Sequence, residues 1–251
     1  MIKAMANQVR NALLLSCGSF NPPTIMHLRL FELAKDHLAT CGYDVLGGMI
    51  SPVHDKYKEK KPSLIPAKHR IKMVELSVRD YPFVKCSKWE IHQEGWTRTR
   101  QVLEEHLSQI NNAVKYPQDL CEKYPHLPNS LKTLSSAQVS EPHTFRLFFI
   151  CGGDLLESFS VPNLWKDEDI ESIVKNFGLI VITREGSNPK QYIEKHHILK
   201  TYEANIHIVK EPILNDISST KIRDAVKRET SIRFFVPDSV INYISDNKLY
   251  R

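Results

Sequence analysis

Four short apolar runs, at residues 12–17, 45–51, 147–151 and 179–183, are separated by segments whose apolar residues recur at helical spacing. Strand-like runs that are apolar throughout and alternate with helix patterns require a parallel sheet covered on both faces, since parallel strands are joined by crossover helices. A weaker, alternating run at 205–209 adds a fifth strand. After the first run, Leu28, Phe31, Ala34 and Leu38 fall three and four apart, with Arg29, Glu32, Lys35 and Asp36 between them. That is the pattern of a surface helix laid on a sheet. The same periodicity predicts helices near 67–79, 97–110, 167–175, 219–228 and 238–247. A chain of 251 residues fits one large domain. The expected fold is therefore a single α/β domain spanning residues 1–251, with a Rossmann-like, doubly wound parallel sheet.

Residues 111–143 break this pattern. Pro117, Pro125, Pro128 and Pro142 lie there among Asn, Ser and Gln without sustained periodicity. Structureless connections longer than about 12–15 residues are uncommon inside compact domains. The stretch is expected to be a disordered or weakly ordered insertion. A formal net charge of +5, with 34 Lys and Arg against 29 Asp and Glu and no long basic run, fits an enzyme of polyphosphate substrates better than a nucleic-acid binder. The five cysteines (Cys17, Cys41, Cys86, Cys121 and Cys151) are odd in number and include no C-x-x-C pair. This implies a reducing, intracellular compartment: the cytoplasm first, with the nucleus or mitochondrion as alternatives. Cys17 and Cys151 each end an apolar run and read as small buried hydrophobes rather than nucleophiles. No apolar stretch approaches the roughly 20 residues needed to span a bilayer, so a soluble chain without a membrane partner is expected.

Two distant segments carry the pattern of phosphate recognition. The first, Gly18-Ser19-Phe20-Asn21-Pro22-Pro23-Thr24-Ile25-Met26-His27, leads from the first strand into the first helix. Main-chain N–H groups and a helix N-terminus at such a junction favour an anion. Gly18 permits a tight turn and close backbone approach, and Ser19 and Phe20 add N–H donors. Taken alone, this is also how an ordinary strand-to-helix turn looks. Thr24 and His27 stand three apart and can face the same side of the helix start. The second segment, Ile217 to Arg223, sets Ser218, Ser219 and Thr220 ahead of a helix that carries Lys221 and Arg223 in its first turn. Hydroxyls and a guanidinium there match phosphate oxygens, although a Ser-rich cap with a surface arginine reads alike.

Other residues gather where strands end. Lys56, Lys58, Lys60 and Lys61 follow the second strand, either as a solvated loop or as a source of one phosphate-binding lysine. Trp89 and Trp96 are seven apart, a spacing common in cores. Cys151-Gly152-Gly153-Asp154 closes the run at 147–151, where Asp154 can cap the next helix. The chain has no G-x-G-x-x-G, which argues against a dehydrogenase.

Together the two segments resemble the nucleotidyltransferase superfamily and, more narrowly, the eukaryotic nicotinamide-mononucleotide adenylyltransferases. The likeness extends to Ser51-Pro52-Val53-His54-Asp55, to residues 89–96 and 151–159, and to Val161-Pro162-Asn163-Leu164-Trp165, covering nearly the whole chain except 111–143. The resemblance implies an enzyme that condenses ATP with nicotinamide mononucleotide, or with nicotinate mononucleotide, by direct in-line adenylyl transfer that makes NAD and pyrophosphate. It implies catalytic roles for His27, Lys60 and Arg223, with Lys58 as an alternative to Lys60. By the same resemblance Gly18, Ser19, Phe20, Thr24, Gly152, Asp154, Arg184, Asn215, Ser218, Thr220, Lys221 and Ile222 contact nucleotide. Trp96 stacks on the pyridine ring, Thr99 and Leu164 join it, and Trp89 is structural. Trp165 belongs to this pocket or to the core. Thr24 stands where the superfamily tetrad has its first histidine, so catalysis leans on one imidazole. Mg²⁺ is implied, bound mainly through substrate phosphates without a protein metal site, as is a homo-oligomer. Two other readings compete: another adenylyltransferase, such as one acting on phosphopantetheine, and a nucleotide-binding chaperone or scaffold. The Trp96, Thr99, Leu164 and Trp165 set opposes the first, and His27, Lys60 and Arg223 oppose the second.

Overall fold

The computed structural model describes residues 10–133, 145–183, 188–213 and 215–251. Six strands, β1 (Arg10–Gly18), β2 (Tyr43–Pro52), β3 (Val84–Cys86), β4 (Phe145–Gly152), β5 (Gly178–Thr183) and β6 (Ile206–Lys210), form one parallel sheet in the order β3-β2-β1-β4-β5-β6. This is the doubly wound order. The short β3 is the strand that hydropathy did not reveal.

Strand residues alternate between two cores. Leu13, Leu15, Leu147, Phe149, Leu179 and Val181 face one, and Ala12, Leu14, Phe148, Ile150, Ile180 and Ile182 face the other. Burial on both faces is why these strands read as continuous apolar runs. The helices α1 (Ile25–Thr40) and α2 (Ala67–Val78) close the second core with Phe31, Leu38, Val74 and Val78. A Cβ on Gly48 would come within 2.4 Å of the Phe31 ring, so glycine in β2 sets how deeply α1 seats. The first core is closed by α3 (Thr99–Lys115), with Val102, Leu103 and Ile110, and by α6 (Asp167–Asn176), with Ile170, Ile173 and Val174.

Between these helices lie α4 (Leu120–Lys123) and α5 (Gly153–Ser158). Beyond β5 come α7 (Pro189–Lys195), α8 (His197–Thr201), α9 (Ser219–Lys227) and α10 (Asp238–Asp246). A third cluster joins Met73 of α2 to Ile222 of α9 and to Val240 and Ile244 of α10. Among the described residues no helix is long and apolar enough to cross a membrane.

The expected disorder of 111–143 does not hold over 111–133. There α3 continues to Lys115, α4 follows, and Leu120, Leu127 and Leu131 are at most 2% exposed in the first core. The prolines interrupt periodicity, but three buried leucines anchor the segment. Ser130 Oγ also donates to the Leu46 carbonyl of β2. Residues 134–144 lie outside the described set.

From β1 the chain winds outward to β3, then crosses to β4 and winds outward the other way. Connections therefore diverge above the carboxyl ends of β1 and β4, at Gly18 and Gly152. Such a switch point opens a crevice for ligands.

Candidate active site

The β1–α1 turn builds the first wall. Phe20 takes a left-handed backbone (φ 45°), which turns the chain sharply after β1 and buries the ring. Thr24 is the N-cap of α1 in extended conformation. Its backbone N–H donates to His27 Nδ1 at 2.9 Å, and its Oγ1 lies 2.9 Å from the same nitrogen. A backbone N–H can only donate, so Nδ1 accepts and the proton of the neutral ring is on Nε2. The edge of the Phe20 ring packs on the imidazole with centroids 5.1 Å apart. Asn21 is fully buried, donating to Ser63 O at 2.8 Å and accepting from the Tyr250 hydroxyl at 2.9 Å.

The start of α9 docks against this turn. Ser218 caps the helix by accepting from Lys221 N–H, and Ser219 Oγ donates to Pro22 O at 2.7 Å. Arg223 donates to Asn21 O at 2.9 Å and to Thr220 Oγ1 at 3.2 Å. The two segments singled out in the sequence thus form one wall.

Behind them stands Arg70 of α2, with no solvent exposure. It donates to the carbonyls of Ser19, Val53 and Ile65 and to Asp55 Oδ1 at 2.6–3.1 Å, locking three loops together. Lys61 Nζ lies 3.2 Å from Ser19 Oγ. Burial, then the charges of Arg223 and Arg70, push its pKa down. Lys60 instead lies over Trp96, its Nζ 4.0 Å from the ring centroid.

Two cavities adjoin. The larger, about 660 Å³, is lined by Phe20, Thr24, His27, Lys61, Gly152 and Ser218. The smaller, about 320 Å³, is lined by Lys60, Trp96, Thr99, Leu164, Trp165 and Glu90. They share Gly18, Ser19 and Asp154. Trp96 and Leu164 are 38% and 46% exposed, unusually open for large apolar side chains. Trp165 satisfies both of its readings: it lines the cavity while packing on Phe159 and donating to Ser158 Oγ at 3.0 Å. Thr97 also lines this cavity, and its Oγ1 is buried with no hydrogen-bond partner among the described residues. Asp169 of α6 holds this wall, accepting from Arg98 at 2.6 Å and Arg100 at 2.7 Å. Burial works to raise its pKa, but these guanidiniums outweigh that and hold it low.

Comparison with known proteins places the chain in a family and matches its fold. The cytidylyltransferase-like family model matches residues 15–225. The nicotinamide/nicotinic acid mononucleotide adenylyltransferase 1 of Bos taurus is 44% identical over 94% of this chain and 88% of its own length. The chain belongs to the nicotinamide/nicotinic acid mononucleotide adenylyltransferase family. The Oryza sativa subsp. japonica member is 42% identical over 96% of this chain and 86% of its own. A solved structure of Plasmodium falciparum nicotinic acid mononucleotide adenylyltransferase, complexed with NaAD, shares the fold at a TM-score of 0.60 and 18% identity, covering 96% and 98% of the two chains.

Not every residue carried over from the adenylyltransferase resemblance reaches a cavity. Ile222 is buried in the third cluster, and its N–H is spent on Ser218 O. Thr220 and Lys221 are exposed outside both cavities, with Lys221 paired to Asp216, and Arg223 also lines neither cavity, its guanidinium being engaged with Asn21 O and Thr220 Oγ1. Asn215 borders a separate apolar groove, with Oδ1 buried and unpartnered among the described residues. Arg184 lies outside the described residues. Lys58 lines neither cavity. The residues that sequence reasoning missed are Lys61, Arg70, Glu90, Thr97 and Asp169. Only Lys61, in the lysine run, carried a signal.

Glu90 sits under the smaller cavity at 3% exposure. Burial raises its pKa to about 8, against hydrogen bonds from Ser51 and the His54 backbone and the Arg70 charge. Burial, with Glu90 adding to it, lifts the Cys17 thiol well above its ordinary value, and burial likewise lifts Cys151.

Proposed function

We propose that this chain transfers the adenylyl group of ATP to nicotinamide or nicotinate mononucleotide, making the dinucleotide and pyrophosphate. One observation carries the reading: a cavity lined by anion-binding groups and a cavity walled by two tryptophans meet at Gly18, Ser19 and Asp154. ATP fills the first and the flat pyridine the second, so that the acceptor phosphate and the α-phosphorus come together at the junction.

The 5′-phosphate of the mononucleotide is ionised at neutral pH. Its oxygen attacks the α-phosphorus directly, and the bond from that phosphorus to the β-phosphate oxygen breaks. No general base is needed, so positioning and charge neutralisation account for catalysis. His27, with its proton on Nε2, donates to phosphate oxygens as charge builds there. Lys61 and Arg223 neutralise the triphosphate, and Lys60 and Trp96 bound the acceptor. Asp154, Glu157 and Glu211 line the larger cavity, yet no three carboxylates among the described residues share one coordination sphere. That donor set suits Mg²⁺ held mainly by ATP oxygens and water, with Asp154 the carboxylate at the junction. When bound, the ion neutralises phosphate charge.

The test is formation of dinucleotide and pyrophosphate by purified protein with ATP, Mg²⁺ and either mononucleotide, with phosphopantetheine as competing acceptor. His27→Ala should lower kcat by roughly 10²–10³ without loss of fold. Turnover with phosphopantetheine alone would overturn the acceptor assignment.

A further inference from the structure

A second cluster of reactive side chains lies at the opposite end of the sheet. His37, in the last turn of α1, Cys41, which caps it, and His207, the second residue of β6, meet near the amino ends of the strands. None of them lines either cavity. His37 Nε2 lies 3.0 Å from His207 Nδ1 and 3.6 Å from Cys41 Sγ, and the three atoms all fall within 4.8 Å of one another. A hydrogen bond between the imidazoles explains the first approach. Cys41, one helical turn from His37, brings its thiol within hydrogen-bond reach of the same nitrogen, so that three donors converge.

Tetrahedral zinc geometry accounts for both. With Zn–N bonds of about 2.0–2.1 Å and Zn–S bonds of about 2.3 Å, neighbouring donors stand about 3.3–3.6 Å apart. The 3.6 Å approach of His37 to Cys41 matches such an edge, the 3.0 Å approach of His37 to His207 is a little shorter, and all three donors lie within 4.8 Å. Two imidazoles and a thiol without a carboxylate are poor donors for Mg²⁺ or Ca²⁺ and suit a softer ion. All three residues are half-buried, shielded yet open to an entering ion. Among the described residues no other group of His, Cys, Asp and Glu is so placed. The nearby guanidiniums of Arg10 and Arg146 are engaged with Cys41 O and Asn205 Oδ1. They oppose a dication without occupying the donors.

We propose that His37, Cys41 and His207 form a three-ligand Zn²⁺ site, with water as the fourth ligand. The ion would pin the end of α1 to β6 across 170 residues of chain. His27 is ten residues away along α1, about 15 Å, so the chemistry in the crevice does not depend on it.

The experiment uses untagged full-length protein stripped with chelator and titrated with Zn²⁺ by calorimetry and with Co²⁺ by absorption. One Zn²⁺ per chain should bind, and Co²⁺ should give a thiolate charge-transfer band. Cys41→Ser and His207→Asn should each weaken Zn²⁺ binding by more than the roughly 10–100-fold that loss of an outer-shell partner costs. The metal should raise the melting temperature of the parent protein but not of the variants. Melting of both variants in chelator at the parent's temperature shows that they fold. Zn²⁺ bound equally well by parent and both variants, or a Co²⁺ complex lacking the thiolate band, overturns the site.

Discussion

Arg223 Nη1 donates to the main-chain oxygen of Asn21 at 2.9 Å across 202 residues of sequence. The same guanidinium reaches Thr220 Oγ1, so one planar fork fixes the start of α9 against the β1–α1 turn. Lysine offers a single ammonium that cannot hold both partners and a phosphate. Arg223→Lys should therefore lower kcat by about 10²-fold or more, with far-UV circular dichroism unchanged. A variant within a few-fold of the parent would reduce this contact to scaffolding.

Lys60 and Lys61 are neighbours with different work. Lys61→Ala should cut kcat/KM for ATP by roughly 10²-fold, because its ammonium stands in the larger cavity beside Ser19. Lys60→Ala should change mainly the mononucleotide KM, since its charge lies on Trp96. Steady-state kinetics varying each substrate in turn separates them. A larger ATP defect in the Lys60 variant would exchange the roles.

A parallel sheet covered on both faces and the pairing of the two anion-binding segments were legible in the sequence, because strands buried on both faces write themselves as apolar runs; the short edge strand β3, and with it the full strand order, was not. Nor was Arg70. In Ala67-Lys68-His69-Arg70 it looks like one more surface cation, and only tertiary packing turns it inward. The lysine run told that a cation follows β2 but not which one. The 3₁₀ turn at Asp55–Glu59 just precedes the pair, and with about three residues per turn adjacent side chains diverge there. Leu120, Leu127 and Leu131 were hidden in the same way, because Pro117, Pro125 and Pro128 break the segment into short turns that show no helical periodicity.

Glu90 couples the floor of the acceptor cavity to pH. Its carboxyl titrates at about 8 in the fold against an ordinary 4.5, so between these values the unfolded chain ionises it while the folded protein keeps it protonated. Stability from this group is fully present below about pH 4.5 and is lost as pH rises toward 8. Glu90→Gln removes the titration. Its melting temperature relative to the parent should therefore climb from pH 5 to pH 8, at about 2–4 °C per kcal/mol for a chain of this size. A difference that does not vary with pH would show that the carboxyl ionises normally in the fold.

Asp169 should act as a positioning residue for the acceptor wall. Its two oxygens hold Arg98 and Arg100, which flank Thr99 and follow the buried hydroxyl of Thr97. Asp169→Asn keeps the shape but loses the charge that holds both guanidiniums. The mononucleotide KM should rise by about tenfold while the ATP KM stays within about twofold, the split expected for a contact remote from the reacting phosphorus. Equal rises in both, with a lower melting temperature, would mark Asp169 as a structural ion pair only.

The direct mechanism has a stereochemical consequence. A covalent adenylyl-enzyme would need a nucleophile beside the α-phosphorus, and the thiols near the junction are Cys17 and Cys151. Burial raises the pKa of both, so neither supplies thiolate at neutral pH. His27 spends Nδ1 on the Thr24 backbone, and its other nitrogen carries the proton, leaving no lone pair for attack. One displacement at phosphorus inverts its configuration, and two restore it. ATP made chiral at the α-phosphorus should therefore give a dinucleotide of inverted configuration, read by phosphorus NMR after stereospecific digestion. Retention, or radiolabel trapped on the protein when the mononucleotide is withheld, would require a covalent intermediate and a different reading of the junction.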